Sequence, residues 1–274
     1  MSVEQPVDVA PLRDASTVVL VRDGDRGIEV FLQHRVQQMA FAGGMTVFPG
    51  GGVDDRDRDA QIRWVGPDVH WWAAQLATDV ETGRALVSAA VRETFEECGV
   101  LLAGTADAVC PDPSIFHDER ARLVSKDLSF AEFLNQNDLV LRTDLLGPMA
   151  HWITPKNEKR RYDTRFFLAS LPAGQAADGA TTEAEAAEWQ TAHDALDDWT
   201  AGRRFLLPPT WTQLRDLARF HTVADVLAAP RTITPIEPEV SDGQGILGLG
   251  FTDSAYYLAA LADGRLDRLR DAAN

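Results

Sequence analysis

The sequence predicts an α/β sandwich, and three observations carry that reading. Residues 16–35 and 160–171 hold β-branched and aromatic runs broken by turn residues, the pattern of strands. Residues 84–98 place apolar side chains at helical spacing, the pattern of one buried helix face. Strands and helices follow one another irregularly, so a regular βαβ series is not expected.

In order along the chain, residues 16–22 (STVVLVR), a DGDRG turn and residues 28–35 (IEVFLQHR) predict a β-hairpin. Residues 41–52 (FAGGMTVFPGGG) form a glycine-dense loop around a short apolar run. Asp54 to Asp59 alternates acids with arginines and reads as a solvated run. Residues 70–83 (HWWAAQLATDVETG) predict a short helix ending near Gly83. In residues 84–98, Val87, Ala90, Val91, Thr94, Phe95 and Cys98 share one face, and Gly99 is a natural stop. Residues 115–127 and 129–138 predict helices, the second opened by a capping box of Ser129 and Glu132. Residues 149–154 (MAHWIT) and 160–171 (RRYDTRFFLASL) predict strands. Small residues and glycines make 172–188 a flexible loop. Residues 208–220 open with prolines suited to a first helical turn and continue amphipathically. From Pro230 onward, prolines and glycines predict mostly irregular chain. The expected organisation is one domain over residues 1–274, ending in an irregular C-terminal extension at 230–274.

The 274 residues carry a net charge of -16, which argues against nucleic acid or an anionic membrane as partner, since both need a basic surface. Two cysteines, Cys98 and Cys110, lack metal-like or redox-like spacing and predict a reducing compartment without a disulfide framework. The polar, acidic opening residues do not resemble a signal peptide, and no apolar stretch reaches membrane-spanning length. A cytoplasmic location is the expectation.

Glu93, Glu96 and Glu97 fall three and four residues apart on the best helix, roughly opposite its apolar face. Like charges there cost a few tenths of a kcal/mol per pair unless a cation offsets them. A hard divalent cation does so, because carboxylate oxygens are its preferred ligands. The alternative is a solvated acidic face on an acidic protein. Upstream, Phe48 to Gly51 (FPGG) is a turn that lets backbone approach a ligand or metal.

Arg92 to Val100 (RETFEECGV) resembles the second half of the Nudix box, G-x5-E-x7-R-E-U-x-E-E-x-G-U, where U is aliphatic, and Gly51 fits its first glycine. Forty residues separate Gly51 from Arg92, where the plain box has 13, so the box is split by about 27 residues. Counted back from Arg92, the box glutamate falls on Arg84, and Glu81 is a candidate to replace it. The resemblance implies a Nudix-type α/β/α sandwich with a mixed sheet and helical insertions, one at 53–83 that splits the box and one at 105–148, and hydrolysis of a nucleoside diphosphate linked to another group. It implies Mg2+ or Mn2+ held by Glu93, Glu96, Glu97 and the Gly51 carbonyl, with Arg92 holding a glutamate in place.

Residues 31–51 (FLQHRVQQMAFAGGMTVFPGG) resemble the motif that precedes the box in coenzyme A diphosphatases, L-L-T-x-R-(S/A)-x3-R-x3-G-x3-F-P-G-G. Arg35, Gly44 and FPGG are in register; Gln33, Val36 and Ala40 depart from it. With the later HWITP and RRYDTRFFLA, the chain looks like the peroxisomal coenzyme A diphosphatase branch and its bacterial relatives. The implied substrate is coenzyme A or acyl-coenzyme A, cleaved to 3′,5′-ADP and (acyl-)phosphopantetheine. ADP-ribose, NADH, a nucleotide sugar, and a non-catalytic nucleotide sensor of the same fold remain alternatives.

The family commonly adds an acid six residues before a Trp, which selects Glu183 ahead of Trp189 as metal ligand or general base beside Glu97 and Arg92. Glu185 and Glu188 are its neighbours, and all three read equally as solvated loop acids. Lys156, Lys159, Arg160, Arg161 and Arg165 form a basic run suited to phosphate oxygens, or else a solvated hairpin tip. Lys159, Arg161 and Arg165 join Arg35 and Gly44 as substrate-binding candidates. Trp71 or Trp72 is the best candidate for stacking on adenine. The expected partner is a small nucleoside diphosphate derivative, with a homodimer as an allowed assembly.

Overall fold

A computed structural model describes residues 9–36, 42, 44–59, 61–182, 184–240 and 248–261. β1 (Leu12–Gly24) and β2 (Gly27–Arg35) form the expected hairpin, with Gly24 opposite Gly27 across a two-residue turn. Gly27, at φ 112°, supplies a backbone dihedral that a side chain would resist. β3 (Thr46–Val47) folds back on β2, and β4 (Gly50–Gly52) pairs with Ala15 to Thr17 of β1. A 3₁₀ turn, Asp55–Arg58, capped by Asp54, precedes β5 (Trp64–Val65).

α1 (Val69–Gln75) is capped by Asp68. α2 (Val80–Cys98) is capped by Asp79 and passes straight through Gly83, where the sequence suggested a stop. The glycine serves packing instead: a Cβ there would lie 3.2 Å from the Ala73 Cα, so its absence lets α1 cross α2 closely. The apolar face of α2 is buried as its spacing predicts, and Gly99 closes the helix at φ 71° with its N–H donating to Phe95 O.

β6 (Ala103–Gly104) is followed by a 3₁₀ turn at Pro113–Phe116, α3 (His117–Val124) and α4 (Phe130–Gln136). The capping box of Ser129 and Glu132 opens α4 as expected. β7 (Val140–Arg142), β8 (Leu146–Ile153) and β9 (Arg161–Ser170) come next. The end of the predicted loop is in fact β10 (Ala184–Thr191), held by its pairing with β2. α5 (Ala192–Thr200), α6 (Pro208–Leu217) and α7 (Val223–Ala228) follow. The tail is more ordered than its composition suggested, with β11 (Pro235–Ile236), β12 (Glu239–Val240), β13 (Leu249–Gly250) and α8 (Ser254–Leu261).

The main sheet runs β10-β2-β1-β9-β8-β11, with β3 and β4 attached at its side. Parallel pairing of β1 with β9 over ten residues, Leu12 with Arg161 through Val21 with Ser170, makes it mixed. Alternation along β1 divides the core. Val18 and Leu20 pack with Leu86, Val91 and Phe95 of α2, while Val19 and Val21 join Trp199, Trp211, Leu214 and Tyr257 on the other face. Helices cover both faces, giving the α/β/α sandwich.

Candidate active site

The site is built where β4 meets α2. Ser16 Oγ donates to Leu86 O at 2.7 Å and ties the strand beneath β4 to the helix. Gly50 N–H donates to Glu97 Oε2 at 2.9 Å. A Cβ on Gly51 would lie 2.6 Å from the Glu93 carboxyl carbon, so a side chain there would displace that carboxylate. The turn and the second glutamate group, distant in sequence, are therefore brought into contact.

Arg92 lies at the centre. Its Nη1 donates to Glu93 Oε1 at 2.7 Å and to Glu96 Oε1 at 3.3 Å, and its Nη2 donates to Gly52 O at 3.0 Å. Its Nε and Nη2 hold both oxygens of Asp57, at 2.9 and 2.8 Å. Asp57 is 1% exposed, a correction to the solvated run expected over residues 54–59. Counted forward from Gly51 rather than back from Arg92, Asp57 occupies the acid position of the first half-box. The extra residues between the two half-boxes then follow it rather than precede it. Glu81, whose side chain is 71% exposed and lies 3.8 Å from Arg58, is not part of the cluster, and Arg84 donates instead to Ile62 O.

The electrostatics of the cluster are lopsided. Asp57, Glu93 and Glu96 surround a single guanidinium, and Glu97 lies against the Gly50 backbone. Burial pushes the Glu93 carboxyl up to about 7; Arg92 opposes this, and the charges of Glu96 and Asp57 add to it. Burial raises Glu96 as well. Among the described residues no three His, Cys, Asp or Glu side chains converge on one point as a preformed cage, because Glu93 and Glu96 face Arg92 and Glu97 faces Gly50. The donor set nonetheless suits a hard cation: oxygen ligands, excess negative charge and a carboxyl held off its usual pKa. On the far side of Arg92, a small cleft is lined by Glu96, Asp54, Arg56, Lys126 and Phe130. Arg56 and Lys126, both paired with Asp54, are cations near the glutamates that sequence reasoning missed.

Other expected residues are dispersed. Arg35 ends β2 opposite Ala184, and its carbonyl accepts from Gly44 N–H at 3.1 Å, so both shape the turn into β3. Gly44 sits at φ 71°. Glu183 and Ala40 lie outside the described residues. Glu188 is paired with Arg204, and Glu185 is exposed. Lys159 is exposed on the β8–β9 turn, but Arg161 and Arg165 depart from the expected basic surface. Arg161 is buried against Glu237, Thr154 O and Ala10 O. Arg165 is buried on Asp163, which also binds His151, and donates to Leu76 O. Trp72 is core, whereas Trp71 is 41% exposed and sits edge-on to it. No helix among the described residues is long and apolar enough to cross a membrane.

Comparisons with known proteins place this geometry. A family model described as the NUDT19 Nudix domain matches residues 73–220, a span that holds Arg92, Glu93, Glu96 and Glu97. The acyl-coenzyme A diphosphatase NUDT19 of Homo sapiens is 25% identical over 239 residues, covering 73% of this chain and 63% of that protein. Its Xenopus laevis counterpart is 22% identical, covering 72% and 62%. The chain thus spans less than two thirds of the length of these curated relatives. The crystal structure of a Nudix hydrolase from Alicyclobacillus acidocaldarius superposes with a TM-score of 0.67 at 27% identity, covering 81% of this chain and 98% of that one. The fold, the glutamate helix and the matched span agree: the chain belongs to the NUDT19-type Nudix domain family.

Proposed function

We propose that the protein is a Nudix hydrolase that uses a divalent metal ion, Mg2+ or Mn2+, to cleave the diphosphate of coenzyme A or acyl-coenzyme A, releasing 3′,5′-ADP and (acyl-)phosphopantetheine. The observation that carries the reading is the set of three carboxylates on Arg92, those of Asp57, Glu93 and Glu96, beside a Gly50–Gly51 backbone that holds Glu97. Glu93, Glu96, Glu97 and the Gly51 carbonyl would hold the metal ion. A divalent cation bound there supplies Lewis acidity, lowering the pKa of water and neutralising charge that builds on phosphate oxygens.

The chain's own groups do the positioning. Arg92 keeps the Glu93 and Glu96 carboxylates from swinging apart, and Asp57 keeps Arg92 itself in place. Gly50 N–H orients Glu97. Glu183, chosen by its spacing to Trp189, is the proposed proton acceptor from the attacking water. Lys159, exposed on its turn, and Arg35 remain proposed substrate contacts.

The substrate class draws support from the names of the relatives, which are acyl-coenzyme A diphosphatases. One observation favours a broader reading. Arg161 and Arg165 are occupied by Glu237 and Asp163, so two cations expected at a 3′-phosphate are engaged elsewhere. ADP-ribose or NADH would then compete. Incubation with coenzyme A and Mg2+ or Mn2+, with products identified by mass, tests the proposal. Metal-dependent appearance of 3′,5′-ADP supports it, and intact coenzyme A at high enzyme concentration contradicts it.

A further inference from the structure

The last four carbonyls of a helix have no partner within it. In α2 they belong to the turn that carries Glu96 and Glu97, and three of them are captured from outside. Arg120 Nε, on α3, donates to Glu96 O at 3.1 Å. Gln33 Nε2, on β2, donates to Glu97 O at 3.4 Å. Asp178 N–H, in the connection between β9 and β10, donates to Cys98 O at 2.9 Å.

Two of these captors are joined to each other. Arg120 Nη1 and Nη2 donate to the two oxygens of Asp178 at 2.7 and 2.8 Å, a bidentate fork. Asp178 Oδ1 also accepts from Ala180 N–H at 3.0 Å. The bridge passes over Gly99, where a Cβ would lie 2.8 Å from Asp178 Oδ2 and 2.9 Å from Arg120 Nη1. Earlier in the same connection, the Gln175 side chain bonds Leu101 N and O and Cys110 O. The connection is thus fastened to the end of the glutamate helix before it enters β10. Arg120 also places its positive charge at the helix C-terminus, where the helix dipole favours it.

We infer that Arg120 is a positioning residue for the proposed hydrolysis: its fork on Asp178 locks the last turn of α2, with Glu96 and Glu97, to the connection leading into β10. α3, part of the insertion over residues 105–148, thereby acts on the reaction without touching the substrate. The inference rests on the diphosphatase reading. Displacing a catalytic group by about 1 Å costs on the order of 100-fold in rate, whereas substrate binding through other groups is spared.

The test measures kcat and KM for Arg120→Gln, Arg120→Lys, Asp178→Asn and the Arg120→Gln/Asp178→Asn double variant, each checked by circular dichroism and thermal melting. Arg120→Gln is expected to lower kcat about 10- to 100-fold with KM within about threefold. Arg120→Lys recovers part of the loss, and the double variant is no slower than the slower single variant, because both remove one interaction. Exchange of the Asp178 and Ala180 amide hydrogens, followed by mass spectrometry, speeds up in Arg120→Gln. Folded Arg120→Gln with a kcat within twofold of the parent, or single losses that multiply in the double variant, overturns the inference. A parent protein that cleaves no diphosphate instead removes the underlying hydrolase reading, a distinguishable failure.

Discussion

At the scale of single residues, Glu97 and Glu93 separate two kinds of demand. Glu97 is 6% exposed, more enclosed than a glutamate opposite the apolar face of a helix would be, because the Gly50 turn closes over it. Glu97→Gln keeps an oxygen for the Gly50 N–H and removes the negative charge. It should therefore fold and melt like the parent while losing at least about 100-fold in turnover. Near-parental turnover by the folded variant would remove Glu97 from the chemistry. Glu93 behaves differently because burial lifts its carboxyl to about 7 from 4.5. A raised carboxyl pKa means that the folded state holds its proton more tightly than the unfolded chain. The resulting stabilisation is complete below about 4.5 and is lost as pH rises through about 7. Metal-free protein should thus melt at a lower temperature at pH 8 than at pH 5, and Mn2+ should recover stability at pH 8 by binding the ionised form. Glu93→Gln should flatten this pH dependence in melts without metal. A parental melting temperature that rises steadily over that window would show that Glu93 does not titrate as described.

At the scale of elements, α2 is held by a turn that lies 35 positions upstream of Arg92. Asp57→Asn leaves Arg92 facing its glutamates with one buried anion fewer. Removing one partner of a buried ion pair costs about 3–5 kcal/mol, so urea unfolding should show a loss near the lower end, since Glu93 and Glu96 still pair with Arg92. A variant as stable as the parent would mean that the fork contributes no net stability. This residue is legible in one direction only: counting back from Arg92 lands on Arg84, whereas counting forward from Gly51 lands on Asp57. The basic run of residues 156–165 carries a similar lesson. Arg161, Asp163 and Arg165 alternate along β9, so a strand places all three on one face, where Arg161 is buried on Glu237 and Arg165 is buried on Asp163, which also binds His151. A charge run alone suggested a surface. By contrast, the first hairpin, the face and end of α2 and the capping box of α4 follow from local pattern and are as the sequence predicts.

At the scale of the molecule, the unforeseen elements are those whose order comes from distant partners. β10 is rich in alanine and glutamate, poor strand formers, and exists because β2 pairs with it over its length. α8 lies in a tail of turn-like composition, yet its Tyr257 is wholly buried, stacked on Trp199, with its hydroxyl donating to Leu206 O at 2.9 Å. The sandwich they complete places the carboxylate cluster at the junction of β4 and α2, with Arg120 of α3 bonded to the last turn of that helix. On the proposed reading the metal chemistry would be common to every diphosphate substrate, so selectivity would come from groups outside the cluster. With Arg161 and Arg165 engaged by Glu237 and Asp163, a charge-assisted contact to the 3′-phosphate of coenzyme A would fall to Lys159 or Arg35, and it would be worth roughly 1.5–3 kcal/mol, about 10- to 150-fold in specificity. The most direct test is the ratio of kcat/KM for coenzyme A over ADP-ribose and over NADH, measured with one divalent metal at one pH. A ratio of at least about 10 is predicted; a ratio below one would contradict the assignment of coenzyme A as substrate.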